Sequence, residues 1–169
     1  KAIIASGHFA KNSFTDVIGT SEAMQRVKER AETYARVDST VLIYGKTGTG
    51  KELFAQSIHN ASRRAGNPFV AVNCAALPES LLESELFGYV SGAFTGARAG
   101  GKTGLFEMAN TGTIFLDEVS EMAPSLQPRL LRVLQEKEVS RVGDDKITPV
   151  DVRVIAATNK DLMELVEKG

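Results

Sequence analysis

Apolar residues along this chain switch repeatedly between helical and strand spacing, and the switching sets the order of elements. Ala23, Val27, Ala31, Tyr34 and Ala35 recur at helical intervals, with Ser21 placed to cap the helix that carries them. Val41, Leu42, Ile43 and Tyr44 form an apolar run of strand length that stops at Gly45. After Lys51 the helical interval returns, with Leu53, Phe54, Ile58 and Ala61 near one face, and Pro68 precedes a second strand over 69–72. A helix after Pro78 carries Leu81, Leu82, Leu86 and Phe87, and a glycine-rich stretch from Gly88 to Gly104 follows it.

A third apolar strand over 113–116 ends on Asp117 and Glu118. Leu126, Leu130 and Leu134 predict a helix over 125–136, with Ser125 as its cap and Pro128 in the first turn, where a missing N–H is harmless. Residues 139–142 and 146–150 flank Gly143, Asp144 and Asp145 as a short hairpin, and a last strand spans 152–157. Short apolar strands alternating with amphipathic helices predict an α/β fold with a parallel sheet flanked by helices on both faces.

A chain of 169 residues with 43% hydrophobic residues has material for one core. Residues 1–13 mix small, polar and charged types without a sustained period and read as the tail of a linker, which leaves 14–169 as the domain. Twenty Lys plus Arg against 21 Asp plus Glu give a formal charge of -1, so the domain lacks the footprint of a protein that grips nucleic acid unaided. The lone Cys74 excludes an internal disulfide, and with only His8 and His59 beside it no zinc set is available; a reducing, cytoplasmic setting is expected. No apolar run is long enough to cross a bilayer, so no membrane contact is expected.

Gly45, Lys46, Thr47, Gly48, Thr49, Gly50 and Lys51 follow a strand and open a helix, the context a phosphate-binding loop requires. Glycines let successive N–H groups converge on phosphate oxygens, the helix aims its positive end at the same anion, and Lys51 adds a full charge. Glu52 stands where the general pattern has Ser or Thr to meet Mg²⁺. A glycine-rich turn with a solvated lysine is the bland alternative. Asp117 and Glu118 end a buried strand on the sheet edge where ligands bind in open α/β folds. There Asp117 would hold the hydration shell of Mg²⁺ and Glu118 would polarise an attacking water. Thr158 and Asn159 end another strand in groups able to hydrogen-bond a γ-phosphate or the water, although Thr and Asn are also ordinary turn residues.

Gly92, Ala93, Phe94, Thr95, Gly96 and Ala97 form a loop in which Phe94 is flanked by residues too small to bury it. At usual residue frequencies, six fixed residues match by chance at roughly one in ten million per position. With this hexapeptide, written GAFTGA, the chain resembles the central domain of sigma-54-dependent activators, the NtrC-like bacterial enhancer-binding proteins. The resemblance runs from Ile18 and Gly19 to Asn159. It includes Glu52 after the loop lysine, Asn73-Cys74-Ala75-Ala76-Leu77, Glu85-Leu86-Phe87-Gly88, and Leu130 to Gln135. Departures are Lys46 for a usual glutamate, Thr111 for the first of two usual glycines, and Tyr89, Val90 and Ser91 ahead of the hexapeptide.

The resemblance implies the three-layer α/β subdomain of an AAA+ ATPase, with ATP and Mg²⁺ as cofactors. Ile18 and Gly19 would lie near adenine, and Asn73 would hold Glu118 in a resting position. The hexapeptide would engage sigma-54 within a hexameric ring, and DNA contact would come from a domain outside this chain. The family's helical lid and trans-acting arginines are expected beyond Gly169, so the fragment alone should be monomeric and nearly inactive. A remodeller with another client would keep Lys51, Asp117 and Glu118 without the hexapeptide. A regulator using ATP only as an assembly signal would not need Glu118.

Overall fold

A computed structural model describes residues 8–168, so residues 1–7 of the expected linker lie outside the described residues. The strands are β1 Val41–Tyr44, β2 Phe69–Asn73, β3 Gly88–Tyr89, β4 Lys102–Thr103, β5 Thr113–Asp117, β6 Glu138–Ser140, β7 Ile147–Pro149 and β8 Arg153–Thr158. The helices are α1 Glu22–Ala35, α2 Lys51–Asn60, α3 Glu79–Phe87, α4 Leu105–Met108, α5 Gln127–Glu136 and α6 Leu162–Lys168. One parallel sheet has the order β1-β8-β5-β2, while β3 with β4 and β6 with β7 form two small antiparallel pairs.

Side chains that alternate along the buried strands feed two separate cores. Phe69, Phe115, Ile155 and Ala157 face α1 and α2, meeting Ala31, Ala35, Phe54, Ala55 and Ile58. Val70, Ile114, Leu116, Val154 and Ala156 face the opposite side, meeting Leu82, Leu86 and Phe87 of α3, Phe106 of α4 and Val133 of α5. The result is three layers with the sheet in the middle.

Ser21 caps α1 as expected, its hydroxyl accepting from Met24 N at 3.3 Å. Ser125 does not cap α5. Residues 123–127 already turn on backbone bonds, Leu126 N to Ala123 O at 2.9 Å and Gln127 N to Pro124 O at 3.3 Å. These satisfy the first amides, Leu126 takes the cap position without a side-chain bond, and the Ser125 hydroxyl donates to Glu79 instead. The last residues assigned to the linker lie against α2. Gln56 Oε1 accepts from Lys11 N at 2.9 Å and Asn12 N at 3.1 Å, and Asn60 Nδ2 donates to the carbonyls of Ala10 and Asn12.

The edge of the sheet where the strands begin is fastened by buried cations. Arg64 makes a two-pronged bond to Asp38 at 2.7 and 2.6 Å and reaches Asp151 Oδ1 at 2.6 Å and the carbonyls of Gly112 and Asp151. Hydrogen bonding to Asp38 is the main reason its pKa lies above the ordinary arginine value. Arg153 Nη2 donates to the carbonyl of Tyr34 at 2.7 Å and Nη1 to that of Ala35 at 3.4 Å, placing a cation at the C-terminus of α1. His59, 1% exposed, bonds Thr113 Oγ1 through Nδ1 at 2.9 Å, and burial lowers its pKa to about 4.

Candidate functional site

The C-terminal ends of the four parallel strands share the opposite edge, and the polar residues marked in the sequence collect there. Register sets Tyr44 beside Thr158 and Asn73 beside Asp117. Where β1 runs out, Gly45 N donates to the carbonyl of Thr158 at 3.1 Å, so the loop begins tied to the end of β8.

Within that loop Gly48 and Gly50 have φ of 80° and 84°, a conformation that strains any residue with a Cβ. This backbone path frees amides. Those of Gly48, Gly50, Lys51 and Glu52 find no acceptor among the described residues, and they head the 10-residue helix α2. Unpaired donors at a helix start make an anion site. Lys51 Nζ lies in the curve of the same loop, donating to the carbonyls of Gly45 at 2.9 Å and Lys46 at 3.0 Å. Thr49 Oγ1 closes the turn on Lys46 O at 2.7 Å, and Thr47 Oγ1 accepts from Asn159 Nδ2 at 3.2 Å. Glu52 points along α2, accepting from Gln56 Nε2 at 3.1 Å.

Asp117 Oδ1 accepts from Glu118 N at 2.9 Å, and Glu118 itself is left-handed at φ 51° and ψ 45°. Cys74, buried beside them, has its thiol pushed up to about 12 by burial and then by the charges of Asp117 and Glu118. A strand end with this negative field suits a cation. Among the described residues no three His, Cys, Asp or Glu side chains gather to hold a metal. The donor set therefore fits a Mg²⁺ bound through water and phosphate oxygens, with one carboxylate from the protein. The Asn73 amide bonds Ala75 N at 2.8 Å through Oδ1; its bonded partner here is Ala75, not the Glu118 carboxylate.

A cavity of about 480 Å³ adjoins the phosphate loop, lined by Thr49 and Lys51 at one end and by apolar residues of α1 and β1, including Met24, Val27, Tyr34 and Leu42. Ile18 and Gly19 do not line it. Ile18 is 94% exposed, and the Lys28 ammonium holds their segment through the carbonyls of Val17 and Gly19.

The hexapeptide Gly92 to Ala97 stands on a stem formed by β3 and β4, which pair Gly88 with Thr103 and Tyr89 with Lys102. Phe94 is 46% exposed, and its ring packs on Tyr89. The hairpin of β6 and β7 grips the stem, with Val90 N donating to Val142 O at 3.1 Å and Val142 N to Gly88 O at 2.9 Å. Arg141 on the hairpin forms a two-pronged pair with Glu107 of α4 at 2.8 and 3.0 Å. A Cβ on Gly143 would come within 2.9 Å of the Ala93 side chain, so hairpin and hexapeptide touch closely.

A family model described as the Sigma-54 interaction domain matches residues 17–169. The chain belongs to the Sigma-54 interaction domain family. It is 59% identical over 160 residues to a signal-transduction and transcriptional-control protein of Clostridium beijerinckii, covering 95% of this chain and 25% of that protein. It is 57% identical over 161 residues to the anaerobic nitric oxide reductase transcription regulator NorR of Enterobacter sp. (strain 638), covering 95% of this chain and 32% of the regulator. The chain thus spans about a quarter to a third of the length of these curated relatives. NtrX from Brucella abortus, solved in complex with ATP, superposes with a TM-score of 0.81 at 38% identity over 91% of this chain and 33% of NtrX.

In this Sigma-54 interaction domain, with its AAA+ P-loop NTPase fold, several residues of the site have no signature in the sequence. Ser120 meets Thr158, Lys160 meets Glu121, and Tyr89 meets Phe94. The first two pairs are long-range contacts between ordinary polar types. For the third, a signal existed: Tyr89 is the one large aromatic in the short run before the hexapeptide.

Proposed function

We propose that this domain binds ATP with Mg²⁺ at the strand-end site and hydrolyses it to move the hexapeptide loop against sigma-54, remodelling the closed promoter complex of RNA polymerase. The observation that carries this is the attachment of the GAFTGA loop, on its own stem, to a domain that sets a phosphate loop and an acidic pair on one sheet edge.

The loop from Gly45 to Gly50 wraps the phosphates with its amides, Lys51 neutralises the outer ones, and Glu52 extends the amide series. Asp117 would hold a Mg²⁺ through water, and Glu118 takes the proton of the attacking water. Asn73 and Asn159 lie beside that water and the γ-phosphate, while the buried Thr158 hydroxyl, bonded to Ser120 and Lys160, supports them from behind. A Mg²⁺ bound beside Asp117 would supply neutralisation of charge on the transferred phosphoryl oxygens. The cavity between α1 and β1 takes the base, and Ile18 and Gly19, which do not line it, would approach the base only from the segment leading into α1. Nucleotide binding is supported by the ATP complex of NtrX, a protein 38% identical to this chain.

In the whole protein, cytoplasmic hexamers would place ATP between subunits. A neighbour's arginine would then complete the site. Promoter or enhancer DNA would be held by a domain outside this chain, consistent with the -1 charge here.

Thr95→Ala and Phe94→Ala in the full-length protein test the assignment, with steady-state ATPase and open-complex formation measured on the same preparation. Substantial ATPase with loss of opening is expected. Opening near the parent level in both variants would overturn the role of the loop.

A further inference from the structure

Glu118 is a non-glycine residue at positive φ, a conformation that an L-residue keeps only when its surroundings over-determine it. On its N-terminal side, the bond from its own N–H to Asp117 Oδ1 fixes the approach of the chain. On its C-terminal side, Val119–Glu121 form a single 3-10 turn, too short to hold its own shape.

That turn is tied at two successive residues to the end of β8. Ser120 Oγ accepts from Thr158 Oγ1 at 2.9 Å, and Thr158 is 0% exposed. The same Thr158 oxygen accepts from Lys160 N at 3.1 Å, and Lys160 Nζ pairs with Glu121 Oε1 at 2.6 Å. Asn159, between them, bonds Thr47 of the phosphate loop. One short run of residues, 158–160, therefore holds the turn after Glu118 on one side and the phosphate loop on the other.

We infer that Ser120, assisted by the Glu121–Lys160 pair, is a positioning residue that aims the Glu118 carboxylate at the phosphate loop through the buried Thr158 hydroxyl. The inference rests on the proposed role of Glu118 as the base. Removing the Ser120 hydroxyl takes away the acceptor of a fully buried O–H and frees the turn to relax toward the right-handed region, which re-aims the side chain just before it. Small misplacements of a catalytic group cost far more in turnover than in binding. The Glu121–Lys160 pair is more exposed, so its share is smaller.

The test is steady-state ATPase of the full-length protein. Ser120→Ala should lower kcat about tenfold with KM for ATP within about twofold, Ser120→Thr should restore most of the rate, and Lys160→Ala should lower kcat about twofold. The discriminating measurement is Ser120→Ala in a Glu118→Gln background. A residue that acts by aiming Glu118 has nothing left to aim there, so the residual rate should not fall further. An equal tenfold fall in that background, or an unchanged kcat in Ser120→Ala alone, would overturn the inference while leaving Glu118 as the base. Full turnover in Glu118→Gln would overturn both.

Discussion

The ring of Phe94 meets the ring of Tyr89 edge-on, with centroids 5.0 Å apart and planes at 64°. The apolar tip of the hexapeptide is thus seated on the first strand of its own stem, where the sequence alone suggested a ring without neighbours. Such aromatic pairs contribute about 0.5–1.5 kcal/mol, enough to favour the seated loop and little enough to release it. Tyr89→Ala should raise the rate of chymotryptic cleavage after Phe94 by about two- to tenfold, and Tyr89→Phe should leave it unchanged. Equal rates in Tyr89→Ala and the parent would show that the ring contact holds nothing.

Lys51 and Glu118 should separate binding from turnover. Lys51→Ala removes the side-chain cation seated in the curve of the loop and should weaken ATP binding by roughly ten- to a hundredfold. Glu118→Gln keeps the loop intact and should bind ATP normally while turning it over only at a low residual rate. Isothermal titration and phosphate release on both variants of the full-length protein check this, and weak binding in Glu118→Gln would contradict it.

Thr111 stands at φ 69°, the left-handed conformation that glycine adopts without strain, and its side chain is β-branched. The penalty of about 1–2 kcal/mol exceeds the unfolded-state entropy that glycine would add. Thr111→Gly should therefore stabilise the domain by about 0.5–1 kcal/mol, read as a higher urea midpoint at constant slope. A lower midpoint would mean that Thr111 makes contacts worth more than its strain.

His59 should make stability depend on pH. Its folded pKa of about 4 lies below the unfolded value of 6.5, so the unfolded chain binds more protons between the two. The neutral ring's contribution is complete above pH 6.5 and is lost as the pH falls toward 4, up to about 3 kcal/mol. Urea unfolding from pH 7 to pH 4.5 should show this slope in the parent and a shallower one in His59→Gln. Identical slopes would place the titration elsewhere.

The sequence was most informative where one physical requirement left one solution. Ile114, Phe115 and Leu116 had to be a buried strand, and the glycines from Gly45 to Gly50 had to be a turn between strand and helix. Strand order was not legible, because alternation within β1 says nothing about β8 as its neighbour. The stem of the hexapeptide is not legible in the sequence because Gly88 and Lys102 carry no strand signal; close backbone approach, not side-chain packing, joins them there. Ser125 looked like a cap because serine is a good one, and the preceding backbone turn removed the need. The Ser120–Thr158 contact joins residues 38 positions apart, which no local pattern can announce.

The placement of β1 beside β8 also has a consequence for synthesis on the ribosome. Val41 to Tyr44 pair with Ile155 to Thr158, so the strand that launches the phosphate loop waits for chain made roughly 110 residues later. At about 5–20 residues per second that delay is roughly 6–22 s. During it, β2 and β5 can already pair with each other, while Gly45 lacks the Thr158 carbonyl that anchors it. The nucleotide loop is therefore among the last parts of the nascent domain to acquire its shape, and a nascent chain halted before Arg153 should have no competent phosphate site.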